Sequence, residues 1–311
     1  MNDKRSLLSN GAAIVRRNKR YVVWFFVLNL ALASMGAAAF RLHAASVLDR
    51  SLYADGVLHG FDLGIFVEML SRPEFGPMQA STVPGLILAF LFFVLTLIFL
   101  PGVFLGYASD RRISREEFFR ACGKNVWRFV RLAILFAIFA GIVGGILNGI
   151  QYALAKAADK TSYEKLPFYV QLISFTVIFL ALTAIRIWFD LAEADVVITD
   201  QKAVRKSVGK AYRQTRANLG RLFGAYVTIS VVALLVLTIG LVIWNVIVPP
   251  ASVWGAFLIG QLILLLLLAT RFWQRAVAVS FYSTAVAETP VEKQPAPVNL
   301  TAAATPQAGG I

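Results

Sequence analysis

Arg186, Asp190 and Glu193 recur at i, i+4 and i+7 in "RIWFDLAEADVV" (186–197), which closes a long apolar run. On a helix that spacing stacks the three charges on one face, with Asp195 pointing almost oppositely. Arg271 and Arg275 share a face within "LATRFWQRAVAVSFYST" (268–284). An unpaired charge costs about 2.5–3.5 kcal/mol at the centre of a membrane helix and less toward its ends. Charge pairing is therefore the chemistry these residues offer. Two arrangements meet the cost. Asp190 and Glu193 can face Arg271 or Arg275 across packed helices, with Asp190 opposite Arg275, or the arginines can snorkel to lipid phosphates while the acids reach cytoplasmic water. Glu193 and Asp195 are expected nearer water than Asp190. Trp188 and Trp273, each two residues after an arginine, are expected as anchors at the inner headgroup level.

Catalytic signatures do not occur: there is no HExxH, GxSxG or GxxxxGK[ST], and no GxGxxG borne on a strand. The two histidines, His43 and His59, lie in 41–82 with Asp49, Asp55, Asp62 and Glu68. Asp55 and His59 are four apart, but a further ligand at convincing spacing is missing. Cys122 is the sole cysteine, which excludes an internal disulfide and a CxxC site. No catalytic residue, cofactor or metal is expected.

The elements that must position the charges are long apolar helices. With 58% hydrophobic residues, 15% charged residues and a mean hydropathy of +0.70, the chain carries more apolar surface than one soluble core needs. Measured against the roughly 20 residues that cross a bilayer, six spans are expected near 21–40, 83–107, 130–154, 168–190, 222–248 and 253–278. The second is interrupted at Pro101–Gly102, and Pro249–Pro250 turns the fifth tightly into the sixth. The fold class expected is all-α, a polytopic bundle in a membrane domain over 21–284. A basic segment, 1–20, precedes it, and a proline- and alanine-rich tail without periodicity, 285–311, follows.

Lysine and arginine set the orientation. Six basic residues fall in the first 20, seven in 108–131 and seven in 193–221, against three in 41–82, three in 156–167 and none in 249–252. Both termini are therefore expected in the cytoplasm. Each outward span follows a basic segment, so the chain reads as three repeated hairpins, with "IRIW" and "TRFW" closing two of them. The net charge of +13 fits topology and headgroups rather than nucleic acid. In the second basic segment Phe118, Phe119, Cys122, Val126 and Phe129 recur at helical spacing, and Ser114 with Glu117 fits a capping box. Such basic amphipathic helices lie at the interface or serve as topology determinants alone. The residues expected at anionic headgroups are Arg120, Lys124, Arg128, Arg131, Arg205, Lys206, Lys210, Arg213, Arg216 and Arg221. The 41–82 connection is expected to form amphipathic helices on the outer surface.

Trp188-x-Asp190 followed by "EADVVITDQKAVRKSVGKAYRQTRANLGRLFGAY" resembles a recurrent segment of uncharacterised bacterial six-span membrane proteins. Their layout is similar to the membrane domain fused to some glycerophosphoryl diester phosphodiesterases, and "VLDRSLYADGVLHGFDLGIFVEML" (47–70) is similar to the same group. The resemblance covers about 20–285 and carries no catalytic residue. It implies a non-catalytic role in the bacterial cytoplasmic membrane, structural, assembly-related or lipid-organising. Anionic lipids are the expected partners, with a second copy or another membrane protein as further candidates. A small-molecule transporter or channel is the alternative, drawn from Asn148, Gln151, Gln171, Asn245 and Gln261 within the spans. Gly141, Gly145 and Gly149 form small-xxx-small steps that favour close helix packing, within the chain or against a second copy.

Overall fold

The computed structural model describes residues 6–48, 67, 78–109, 111–161, 163, 165–249 and 252–288. Eight helices run through them: α1 (Leu7–Arg17), α2 (Lys19–Leu48), α3 (Met78–Ala108), α4 (Arg115–Ala158), α5 (Leu166–Ile198), α6 (Val204–Ala217), α7 (Leu219–Ile247) and α8 (Val253–Glu288). No strand occurs among the described residues. Six helices, α2, α3, α4, α5, α7 and α8, are long and apolar enough to cross a membrane. The chain therefore has the layout of a multi-pass membrane protein.

Several helices outrun the apolar stretches that announce them. At 1.5 Å per residue the 44 residues of α4 reach about 66 Å and the 36 of α8 about 54 Å, well past a hydrocarbon core of about 30 Å. The excess on α4 is its amphipathic start, where Ser114 accepts from the Glu117 N–H and the Glu117 carboxylate accepts from the Ser114 N–H, the expected capping box. α8 stays helical to Glu288, and residues 289–311, most of the expected tail, lie outside the described ones. α2 likewise runs past 40 to Leu48, while His59, Asp49, Asp55, Asp62 and the outer-surface helices expected around them lie outside the described residues. The expected interruption at Pro101–Gly102 does not occur, because α3 continues through it. Proline withholds one N–H there, and a Cβ on Gly102 would collide with the Phe118 ring and Cys122 Sγ. The glycine is used for close packing, not for a break.

α3, α5 and α8 pack on one another and form the centre of the bundle. Around them α2 bridges α3 and α8, α4 bridges α3 and α5, and α7 bridges α5 and α8. The short helices close the arrangement, α6 lying on α5 and α1 on α8. Gly11 permits the last contact, since a Cβ there would strike Val277 and the Trp273 indole. The turn between α7 and α8 is tight, with the Ser252 N–H donating to the Pro249 carbonyl at 2.8 Å.

Dense packing is confined to the end of the bundle that carries the basic segments. Tyr21 and Phe25 of α2, Leu100 to Tyr107 of α3, Phe118 to Leu132 of α4, Ile187 to Val196 of α5, Leu222 to Ile229 of α7 and Phe272 to Tyr282 of α8 supply the core. The other halves of the same helices leave large apolar side chains uncovered, as lipid-facing surfaces do. Gly141, Gly145 and Gly149 lie there, and a Cβ at any of them would touch nothing within 4 Å, so no helix among the described residues packs on those steps. Where α1 meets α2 and α6 meets α7 the chain bends at Asn18 and Asn218, whose backbones leave the helical region (φ −113°, ψ 30° and φ −122°, ψ 24°). Each Asn Nδ2 donates to the carbonyl four residues earlier, Ile14 at 3.2 Å and Gln214 at 3.2 Å, and Asn125 within α4 does the same to Ala121 at 3.1 Å.

Candidate functional site

The charges on α5 and α8 meet in a cavity of about 280 Å³ at the centre of the bundle. α5 contributes Arg186, Asp190 and Glu193, one face of the helix as their spacing requires. α8 contributes Arg271 and Arg275, also a helical turn apart. α3 faces them with Phe93, Thr96, Leu97 and Leu100, so two walls are charged and the third is nearly apolar.

Within the cavity the partners differ from the expected Asp190–Arg275 pair. Asp190, 5% exposed, accepts from the Tyr226 hydroxyl of α7 at 2.8 Å and has Arg186 Nε at 3.7 Å. Tyr226 reaches the carboxylate because α7 packs between α5 and α8. Arg275 lies instead with its guanidinium 5.5 Å from the Phe272 ring centroid. The five charged residues therefore share one space without forming the cross-helix ion pair, and three guanidiniums stand against two carboxylates. Several of their polar atoms are unmet: Arg186 Nε and Nη2, Arg275 Nε and Glu193 Oε2 are buried with no hydrogen-bond partner among the described residues. Buried polar groups are ordinarily satisfied, so such a concentration marks either a ligand site or a strained one.

A groove of about 500 Å³ between α5, α7 and α8 adjoins the cavity, since Arg186 and Arg271 line both. Gln274 stiffens the inner end of that groove, its Nε2 donating to the Tyr226 carbonyl at 3.3 Å and to Ser230 Oγ at 3.1 Å.

Below the cavity the helix ends are tied together by polar bonds. Asp195, expected near water, is 2% exposed. It accepts from the Tyr282 hydroxyl of α8 and from Lys210 Nζ of α6 at 3.1 Å, and Lys210 also donates to the Tyr282 oxygen at 2.7 Å. The burial follows from α6 lying along α5, which takes the last turns of α5 out of solvent. The two tryptophans carry out that docking. Trp188 Nε1 donates to the Val208 carbonyl of α6 at 2.8 Å, and Trp273 Nε1 donates to the Leu8 carbonyl of α1 at 2.9 Å. Asp200, in the left-handed region at φ 51°, turns the chain from α5 toward α6. It accepts from Lys124 Nζ at 2.6 Å and Arg128 Nη1 at 2.8 Å, and these two cations hold its carboxyl down at about 2.

The residues expected at headgroups divide by these contacts. Lys124, Arg128 and Lys210 are engaged as described, Arg120 pairs with Glu116, and Arg131 lies 5.5 Å over the Trp127 ring. Arg205, Lys206, Arg213, Arg216 and Arg221 are exposed. Among the amides of the spans, Gln151 and Gln171 join α4 to α5 at 2.8 Å, and Asn148 bonds its own helix at the Gly144 carbonyl. Sequence reasoning missed Tyr226, Tyr282 and the three asparagines. The asparagines leave a readable mark, each lying four residues before a buried apolar residue, Val22, Phe129 or Leu222. The tyrosines leave none, because nothing local separates them from ordinary core aromatics. No family model matches this chain, and no curated protein or solved structure matches it either.

Proposed function

We propose that this chain is a non-catalytic, lipid-organising component of the bacterial cytoplasmic membrane, with both termini on the cytoplasmic side. The observation that carries the reading is the basic collar at the packed end of the bundle. α1, the start of α4 and α6 bring the three basic segments to the same end, each lying on one of the three central helices, and leave Arg205, Lys206, Arg213, Arg216 and Arg221 exposed. A rigid ring of cations beside an apolar belt attracts anionic headgroups at roughly 1 kcal/mol per residue near the surface. The chain is also proposed to repeat one hairpin three times. Trp188 and Trp273 bond carbonyls ten residues before Asn218 and Asn18 respectively, and Thr199 and Thr284, again matched in register, each bond the carbonyl four residues back. A scaffold of three equivalent arms gathers several headgroups at once. The resemblance to bacterial six-span proteins without a catalytic domain supports the same role.

The test is reconstitution into phosphatidylcholine vesicles with and without phosphatidylglycerol. Fluorescent phosphatidylglycerol should cluster around the protein at low salt, disperse as salt screens the collar, and lose clustering when Arg205, Lys206, Arg213 and Arg216 are changed to Gln. Equal behaviour of neutral and anionic probes sinks the reading. Transport of a small molecule is the second reading, favoured by the central charged cavity; it requires solute uptake into the same vesicles.

A further inference from the structure

We propose that the groove between α5, α7 and α8 is a binding site for one anionic phospholipid, its acyl chain lying against Phe175, Phe179, Leu234 and Leu237 and its phosphate held by Arg186 and Arg271. The proposal rests on the lipid-organising reading and names a specific site within it.

Polarity is graded along the groove in the same direction on all three helices. On α5 the lining passes from Phe175 and Phe179 to Arg186, eleven residues or about 16 Å from first to last. On α7, which runs the other way, it passes from Leu237 and Leu234 to Ser230, and on α8 from Leu267 to Arg271 and Gln274. The apolar end is open to the surroundings, with Phe175 67% and Leu234 61% exposed. It belongs to the apolar belt of the bundle, where lipid chains are the solvent. The polar end abuts the central cavity through the two arginines.

Charge argues for the headgroup. Arg186 presents two buried nitrogens without acceptors, its one carboxylate contact being Asp190 at 3.7 Å, and Arg271 has no ion pair among the described residues. Three arginines against Asp190 and Glu193 leave one positive charge unbalanced. A phosphodiester supplies the missing negative charge and accepts from both guanidiniums, the geometry arginine favours. A soluble anion would leave the apolar length of the groove unfilled. A neutral amphiphile would leave the guanidiniums unmet. Only an anionic lipid satisfies both ends.

The experiment titrates the delipidated, detergent-purified full chain with dioleoyl phosphatidylglycerol, dioleoyl phosphatidylcholine and glycerol 3-phosphate, read by native mass spectrometry and thermal melting. One phosphatidylglycerol should bind on the order of tenfold or more tighter than phosphatidylcholine, about 1.4 kcal/mol, and glycerol 3-phosphate should not displace it. Arg271→Gln should abolish that preference. Leu234→Trp, at a position 61% exposed, should block the chain and lower affinity for both lipids. Equal binding of the two lipids, displacement by glycerol 3-phosphate, or unchanged affinity in both variants overturns the site. The glutamine variants at Arg205, Lys206, Arg213 and Arg216 separate the two proposals. If they remove the lipid preference while Arg271→Gln keeps it, the groove is wrong and the collar stands. If no variant and no wild-type measurement senses anionic lipid, both fall.

Discussion

Tyr226→Phe removes one oxygen from the packed end of the bundle and leaves the ring in place. That oxygen is buried and donates to Asp190 Oδ2 at 2.8 Å. The nearby cation, Arg186 Nε, is 3.7 Å from the same oxygen, too far to replace the hydroxyl. Hydrogen bonds between membrane helices average about 0.6 kcal/mol, whereas a bond to a charged acceptor is worth about 1.5–3 kcal/mol. The carboxylate and its burial place this bond in the second range, so Tyr226→Phe should cost about 1.5–3 kcal/mol, roughly 10- to 150-fold in the unfolding equilibrium. The assay is equilibrium unfolding of the full chain in mixed micelles, run as a cycle with Asp190→Leu, which removes the acceptor at similar volume. In the Leu background the tyrosine change should cost nearly nothing. A second cycle, Asp190→Leu with Arg275→Gln, should show the smaller coupling, since those two groups make no ion pair. If Tyr226→Phe costs the same in both backgrounds to within about 0.5 kcal/mol, the bond does not hold α7 to α5 and the account of the cavity fails.

Three further outcomes follow from the same contacts. In a Cys122→Ala background, an impermeant thiol reagent should label Tyr163→Cys in intact cells and Lys206→Cys only after permeabilisation; the reverse pattern inverts the topology. Asp200 has its carboxyl held at about 2, below the unconstrained 3.8, so the stability it contributes is present above about pH 4 and is lost as pH falls toward 2. Asp200→Asn should flatten stability across that window, and an unchanged acid profile would show that Lys124 and Arg128 do not act on it. Trp273→Phe removes the donor to the Leu8 carbonyl, worth about 0.5–1.5 kcal/mol, so trypsin should cut at Arg16–Arg20 roughly 2- to 10-fold faster through local opening of α1. Unchanged cleavage would mean that the indole does not dock that helix.

Apolar run length made the six long helices legible, and the basic segments marked the end of the bundle at which side chains pack most densely. The i, i+4, i+7 spacing likewise put Arg186, Asp190 and Glu193 on one face of α5, the face that lines the central cavity. What stayed hidden was set by contacts between distant segments. Asp195 is buried by α6 folding back along α5, and Asp190 is met by a tyrosine 36 residues away. Neither is encoded in local periodicity. The tryptophans illustrate the limit well: their position after each arginine was readable, but their N–H donation to α6 and α1 depends on where those helices come to rest.

On the proposed repeat, function lies where the three arms differ. If the proposed repeat is extended to α3 by setting Phe99 with Trp188 and Trp273, Leu97 falls with Arg186 and Arg271. All three of those residues line the central cavity, so the register agrees with their placement. One position is thus Leu, Arg and Arg, and the next turn is Pro101, Asp190 and Arg275. If the charges served only to hold three equivalent arms together, the α3 arm would need them as much as the others. Instead α3 packs into the centre with apolar side chains, and its close approach at Gly102 to Phe118 does the corresponding work. Charge is therefore dispensable for assembling an arm, and burying it carries a desolvation cost that apolar packing avoids. The two charged arms flank α7 and open on the groove beside it, whereas the uncharged arm does not line that groove. The cost of Arg186 and Arg271 is borne where both line that groove as well as the cavity, which is the distribution expected of the proposed lipid site and not of a structural lock.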